Sequence, residues 1–134
     1  MKKSRILLAE DQTILREGLK LLINSEPDME VVGEAASGVE AVKLVLEVEP
    51  ELVIMDISMP EMNGLQATQE IKCRLPEVKI IALTVHESKS FLRQFLKIGI
   101  SAYIVKRSAA EELVRGIRAV VSGGVYLDPV SAAV

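Results

Sequence analysis

Aromatic residues are scarce. The 134 residues include two Tyr, two Phe and no Trp, so any core must be aliphatic. There is one cysteine, Cys73, which excludes an internal disulfide and any cysteine-rich metal site. A single histidine, His86, argues against a histidine-built zinc centre. No apolar run approaches the ~20 residues of a membrane span. The apolar stretch nearest the N-terminus, residues 6–9, is interrupted by Glu10 and Asp11 and is too short for a signal-peptide core. The expectation is a cytoplasmic chain that does not enter a membrane. A concentrated basic face is also missing: 16 basic side chains stand against 19 acidic ones, a net charge of −3. This segment is therefore not expected to bind nucleic acid by itself.

What is present describes an ordinary domain. Hydrophobic residues make up 49% and charged residues 26%, which rules out intrinsic disorder. The length fits one domain able to bury a sizeable core without staples. Short apolar runs alternate with longer amphipathic segments. Residues 5–9, 29–35, 52–55, 79–83 and 102–105 read as strands, the third closed by Asp56, the fourth by Thr84 and the fifth by Lys106. Leu52-Val53-Ile54-Met55 is continuously apolar, as in a strand buried on both faces. Residues 13–25, 38–48, 64–75, 88–98 and 108–122 read as helices. Ser88 is the expected N-cap of the fourth helix and Gly99 its stop; Ser108 with Glu111 three residues on suggests a capping box for the last. Five βα units in succession imply a parallel sheet with right-handed crossovers and helices on both faces.

Four strands deliver polar residues to one sheet edge: Glu10 and Asp11 after the first, Asp56, Thr84, and Lys106. Ligands of open parallel sheets bind beyond the carboxyl ends of the strands, where strand order reverses. Three crowded carboxylates repel one another and call for a cation. A hard divalent ion such as Mg²⁺ takes oxygen ligands, lysine offers a point charge for a phosphate oxygen, and a carboxylate can itself be phosphorylated. Together these suggest phosphoryl transfer to an aspartate.

The residues carrying this chemistry resemble the receiver domain of two-component response regulators, over essentially the whole chain. The carriers are Leu7-Leu8-Ala9-Glu10-Asp11, Val53-Ile54-Met55-Asp56-Ile57-Ser58-Met59-Pro60-Glu61-Met62-Asn63-Gly64, Ile80-Ile81-Ala82-Leu83-Thr84 and Ala102-Tyr103-Ile104-Val105-Lys106. Finer features resemble the NarL/FixJ (LuxR-type) branch: Leu15-Arg16-Glu17-Gly18-Leu19, Glu30-Val31-Val32-Gly33-Glu34-Ala35, and Ile117-Arg118-Ala119-Val120 leading to Gly123-Gly124.

The resemblance implies a flavodoxin-like α/β fold, doubly wound, with a five-stranded parallel sheet in the order 2-1-3-4-5 and five helices. Residues 1–122 would be the receiver, and 123–134 a tail or the start of a linker toward a missing helix-turn-helix domain. Asp56 would be the phosphoacceptor for a sensor histidine kinase that docks near the first helix. Asp11 and Asp56 would bind Mg²⁺ directly, Glu10 through a water, and Ser58 through its backbone carbonyl. Lys106 and Thr84 would contact phosphoryl oxygens. Thr84 and Tyr103 would form the switch, Tyr103 turning inward on phosphorylation. Partners would be the kinase, a second copy of the chain on activation, and DNA through the missing domain.

The chain departs from the family pattern in places. Glu10 stands where Asp is commoner, Asn63 where Asp is frequent, and Val85 where a small residue is usual, which would restrict donor access or slow hydrolysis. Arg107 replaces a proline after Lys106, so that peptide is expected trans. Ser58 and His86 occupy positions that tune phosphate lifetime in the family.

Three other readings compete. A phosphatase with an aspartate nucleophile would need a second aspartate two residues on, and Ser58 stands there. A receiver-like module that signals by binding alone would usually have lost one of the acids or the lysine, and all are kept. Dinucleotide binding lacks its Gly-x-Gly-x-x-Gly turn. The expectation is therefore a signalling switch, not a turnover enzyme, that catalyses only its own phosphorylation and dephosphorylation.

Overall fold

In a computed structural model, residues 2–85 and 89–127 are described. Strand β1 (Ser4–Ala9) is an interior strand of the sheet. Its last four residues, Ile6 to Ala9, are wholly buried. Ile6 and Leu8 point to one face of the sheet, Leu7 and Ala9 to the other, and each pair joins a different apolar cluster. A strand covered on both sides must be apolar at every position, which is why this stretch shows no alternation.

The elements follow as α1 (Thr13–Asn24), β2 (Met29–Ala35), α2 (Gly38–Val48), β3 (Leu52–Asp56), α3 (Gly64–Arg74), β4 (Lys79–Thr84), α4 (Lys89–Lys97), β5 (Ala102–Val105), a 3₁₀ turn (Lys106–Ser108) and α5 (Ala109–Val121). All strand pairs are parallel. The order β2-β1-β3-β4-β5 is the expected one, and it is extended by a sixth strand, β6 (Tyr126–Leu127), beside β5. The start of the expected tail is thus part of the sheet. Residues 128–134 lie outside the described residues, as do His86 and the expected N-cap Ser88.

One apolar cluster joins Leu7, Val53, Met55, Ile80 and Tyr103 of the sheet to Val45 of α2, Ile71 of α3 and Phe95 of α4. The other joins Ile6, Leu8, Ile54, Ile81 and Ile104 to Leu19 and Ile23 of α1 and Leu113 and Ile117 of α5. Three helices therefore cover one face and two the other. Phe95 and Tyr103, with ring centroids 6.1 Å apart, are the largest fully buried side chains of this otherwise aliphatic core.

Helix ends mostly follow the sequence. Ser37 caps α2 by accepting from the Glu40 N–H at 3.1 Å. Gly99, with φ 92°, takes the left-handed conformation that stops the chain after α4. The capping box expected at Ser108 does not form: Ser108 sits in the 3₁₀ turn at φ −98° and ψ 0°, not in the extended conformation a cap needs, and its side chain makes no cap bond. The box is at α3 instead. The Asn63 side chain accepts from the Gln66 N–H at 2.9 Å, and the Gln66 side chain accepts from the Asn63 N–H at 3.2 Å. It starts α3 tight against β3, where a Cβ on Gly64 would lie 2.4 Å from the Asp56 carbonyl oxygen.

Candidate functional site

Strand register gathers the polar residues. Ala9 pairs with Met55, Asp56 with Leu83, and Thr84 with Val105. The residues after Ala9 and Val105 therefore emerge level with Asp56 and Thr84. The connection from β1 runs to β2 on one side, while β3 lies on its other side, so the gap beyond β1 and β3 is where strand order reverses. This is the ligand-binding edge of a doubly wound sheet. A cavity of about 440 Å³ lined by Glu49, Pro50, Leu75 and Val121 lies elsewhere and holds none of these residues.

Glu10, Asp11 and Asp56 converge so that one carboxylate oxygen from each lies within 4.8 Å of the others. Glu10 and Asp56 are fully buried, and Thr84 is as well. Lys106 Nζ stands 3.0 Å from Asp56 Oδ2 and 3.0 Å from Glu10 Oε1. Asp56 Oδ1 accepts from the Ser58 N–H at 3.0 Å. Glu10 Oε2 accepts from the Gln12 N–H at 2.9 Å. Glu10 Oε1 is different: it is buried and close to the lysine, yet has no hydrogen bond.

The electrostatics follow. Burial pushes the Glu10 carboxyl up to about 7; the Gln12 N–H pulls it back, the charge of Asp56 adds to the rise, and Lys106 again opposes it. For Lys106, burial favours the neutral amine, but the hydrogen bond to Asp56 and the pull of the Glu10 carboxylate outweigh that, and the ammonium is held more firmly than usual. Two buried carboxylates share one lysine and a third, more accessible one lies beside them, so the cluster carries excess negative charge. Its donors are all oxygens, and one buried oxygen lacks a hydrogen bond. A hard divalent cation such as Mg²⁺ fits this donor set.

Thr84 and Tyr103 share a side-chain hydrogen bond, and burial raises the Tyr103 hydroxyl's pKa. Tyr103 is fully buried against Phe95, so its ring already occupies an inward position. Val85, next to Thr84, is 61% exposed. The Lys106–Arg107 peptide is trans, as expected. The sequence reading did not assign the Ser58 N–H, which pins Asp56, nor Arg16, whose Nη1 donates to the Glu10 carbonyl at 2.7 Å. The subgroup motif around Arg16 was the available signal.

A parallel doubly wound sheet with this acid, lysine and hydroxyl edge defines a flavodoxin-like α/β domain. The family model described as "Response regulator receiver domain" matches residues 6–118, and the chain belongs to that family. It is similar to the transcriptional regulatory protein DegU of Brevibacillus brevis, with 37% identity over 95% of this chain and 54% of the relative. Similarity to the oxygen regulatory protein NreC of Staphylococcus epidermidis is 42% over 92% of this chain and 57% of the relative. A solved LuxR-family two-component response regulator from Aurantimonas sp. SI85-9A1 superposes with TM-score 0.94 at 35% identity, covering 98% of this chain and 94% of that one. The chain is thus a receiver domain of the LuxR-type (NarL/FixJ) branch, a signalling switch and not a turnover enzyme. It spans a little over half the length of the curated relatives it matches. Among the described residues, no helix is long and apolar enough to cross a membrane.

Proposed function

We propose that Asp56 is the phosphoacceptor of a two-component transcription regulator. The observation that carries this is the Asp56 carboxylate itself: buried, pinned by the Ser58 N–H on Oδ1 and by Lys106 on Oδ2, with two further carboxylates beside it. An Asp56 oxygen attacks the phosphorus of a phosphohistidine on a sensor kinase. The P–N bond breaks, a mixed anhydride forms, and the histidine leaves with its nitrogen lone pair.

Asp11 and Asp56 would hold Mg²⁺ directly, Glu10 through a water that its unbonded Oε1 can accept from, and the Ser58 carbonyl would complete the protein ligands. When bound, the metal supplies positive charge to the oxygens of the transferring group. Lys106 neutralises a phosphoryl oxygen, and Thr84 donates to another. Since Thr84 shares a hydrogen bond with Tyr103, a shift of Thr84 toward the phosphoryl group changes what holds the ring, and hence the surface around α4 and β5. The output is a second copy of the chain on activation and DNA bound by a further domain, in the cytoplasm. Dephosphorylation is the chain's own hydrolysis of the anhydride.

Intact mass after incubation with acetyl phosphate and Mg²⁺ tests this. One added phosphoryl group is expected, absent without Mg²⁺ and absent in Asp56→Asn. No adduct on the folded chain, with a donor shown to label another receiver and with a phosphorylated kinase also failing, refutes the reading in favour of a module that signals by binding alone.

A further inference from the structure

Two segments that mark the branch in the sequence, one around Arg16 and one ending at Glu34-Ala35, have no part in the chemistry above. The structure joins them to each other and to the acid pair. Glu34 Oε1 lies 3.4 Å from Arg16 Nε, and Glu34 Oε2 lies 3.0 Å from Nζ of Lys20, one turn further along α1. Arg16 Nη1 donates to the Glu10 carbonyl oxygen at 2.7 Å. The Arg16 side chain is only 17% exposed. On its other side the Glu10 N–H donates to the Ala35 carbonyl at 2.9 Å, directly after Glu34 in β2.

The two peptide groups that flank Glu10 are therefore each held from β2: the Ala9–Glu10 peptide by the backbone of Ala35, and the Glu10–Asp11 peptide by Glu34 through the guanidinium. A peptide is planar, so the direction of the Glu10 carbonyl fixes the plane in which the Asp11 nitrogen and Cα lie. The carbonyl's direction thus sets where the Asp11 side chain starts. Charge alone gives no reason for this placement, because a guanidinium near three carboxylates opposes the binding of a second cation. Geometry does: a planar fork can hold a carbonyl and a carboxylate at once, which an ammonium cannot do with the same fixed angles.

We propose that Arg16, anchored by Glu34, is a positioning residue for Mg²⁺ binding: it holds the Glu10–Asp11 acid pair in place opposite Asp56. This rests on the reading of that cluster as a Mg²⁺ site. Groups that orient metal ligands typically contribute a factor of roughly 10–100 in metal affinity.

The test is isothermal titration of the full chain with MgCl₂, for the wild type, Arg16→Ala, Arg16→Lys and Glu34→Gln, each checked for folding by circular dichroism. Arg16→Ala and Arg16→Lys should both bind Mg²⁺ about tenfold more weakly, the low end of that range. Glu34→Gln should move in the same direction by a smaller factor. The Mg²⁺ concentration needed for half-maximal acetyl phosphate labelling should rise by the same factor, with the plateau at saturating Mg²⁺ retained. Arg118→Ala, which breaks a distant surface ion pair with Glu26 and Asp28, controls for general destabilisation and should leave Mg²⁺ affinity unchanged. Arg16→Lys matching the wild type while Arg16→Ala binds Mg²⁺ more tightly would show a charge effect only and overturn the proposal. So would unchanged Mg²⁺ affinity in both Arg16 variants, or a lowered plateau with an unchanged Mg²⁺ requirement; in these cases the phosphoacceptor reading stands. A wild type that binds no Mg²⁺ overturns both.

Discussion

Replacing Glu10 by Gln removes a negative charge while keeping the side chain's shape and its acceptor for the Gln12 N–H. In metal-free buffer this should stabilise the protein at high pH and do little at low pH. The sign follows from the carboxyl's displacement from 4.5 to about 7 in the folded chain. Between those values the folded chain holds a proton that the unfolded chain has released. Stability falls with rising pH wherever the folded state binds more protons. The contribution is therefore fully present below about pH 4.5 and is lost as pH rises through about 7. At about 1.36 kcal/mol per pH unit, a displacement of roughly 2.5 units sets an upper figure of about 3 kcal/mol. That displacement already includes the opposing pull of Lys106, 3.0 Å away, so about 3 kcal/mol is the most the variant should gain. The assay is urea unfolding followed by far-UV circular dichroism, in EDTA, from about pH 5 to about pH 8, for wild type and Glu10→Gln. Taking the difference between the two proteins removes every other titrating group they share. The difference should be small at the acid end, grow in favour of the variant up to about 7, and level off above it. Parallel stability profiles would refute the claim that burial and the Asp56 charge disfavour the Glu10 anion.

Other outcomes follow from the same geometry. Lys106→Ala leaves Asp56 and Glu10 without the ammonium 3.0 Å from each; removing one partner of a buried pair costs roughly 3–5 kcal/mol, and denaturant titration should show the larger loss at about pH 8, where Glu10 is ionised. Gly64→Ala puts a methyl group 2.4 Å from the Asp56 carbonyl oxygen; thermal melts should show a loss of about 1–3 kcal/mol, and phosphorylation should fall because β3 must shift. Tyr126→Phe removes the hydroxyl that donates to Glu112 Oε2; about 1 kcal/mol should be lost, with faster amide exchange at Leu127. Val85→Ala should speed labelling by acetyl phosphate with stability unchanged, since Val85 is 61% exposed; an unchanged labelling rate would remove Val85 as a barrier to the donor.

The sheet was readable because its interior strands β1 and β3 are buried on both faces, so the runs at 6–9 and 52–55 are apolar at every position. The site was readable because a parallel sheet puts all its strand ends on one edge; naming the residue that follows each strand already names the cluster. What was hidden has common causes. β6 is two residues long, and no period can be seen in two residues. Asn63-Gly64-Leu65-Gln66 and Ser108-Ala109-Ala110-Glu111 both have a capping-box pattern, and only the first forms. The chain leaves β5 directly into a 3₁₀ turn, which denies Ser108 the extended conformation; that depends on where the strand ends, not on the residues of the box. The burial of Glu10 was equally hidden, since the sequence gives no sign that Lys106 and the β1–α1 loop close over it.

The charge balance explains why a site of this kind can serve as a switch. Lys106 is the sole basic group paired with either buried carboxylate among the described ion pairs, and it divides its charge between Glu10 and Asp56. In the metal-free chain, burial pushes the Glu10 carboxyl up to about 7, so it takes up a proton far more readily than an ordinary carboxylate. The cluster is thus held at a compromise between a proton and a lysine. A divalent cation would displace the proton by satisfying all three carboxylates, which couples metal binding to proton release and makes it weaken below about pH 7. Phosphorylation of Asp56 would then add roughly one further negative charge at pH 7. Lys106 would be drawn from Glu10 toward the phosphoryl oxygens, and Thr84, one strand over, would be offered a stronger acceptor than Tyr103. Both steps move groups that are already fully or largely buried, where charge changes are least screened. Tyr103 sits in β5, paired on one side with Ala82 and on the other with Leu127. A change in how its ring is held would therefore reach two places: the α4 face, through Phe95, and β6 at the edge of the sheet.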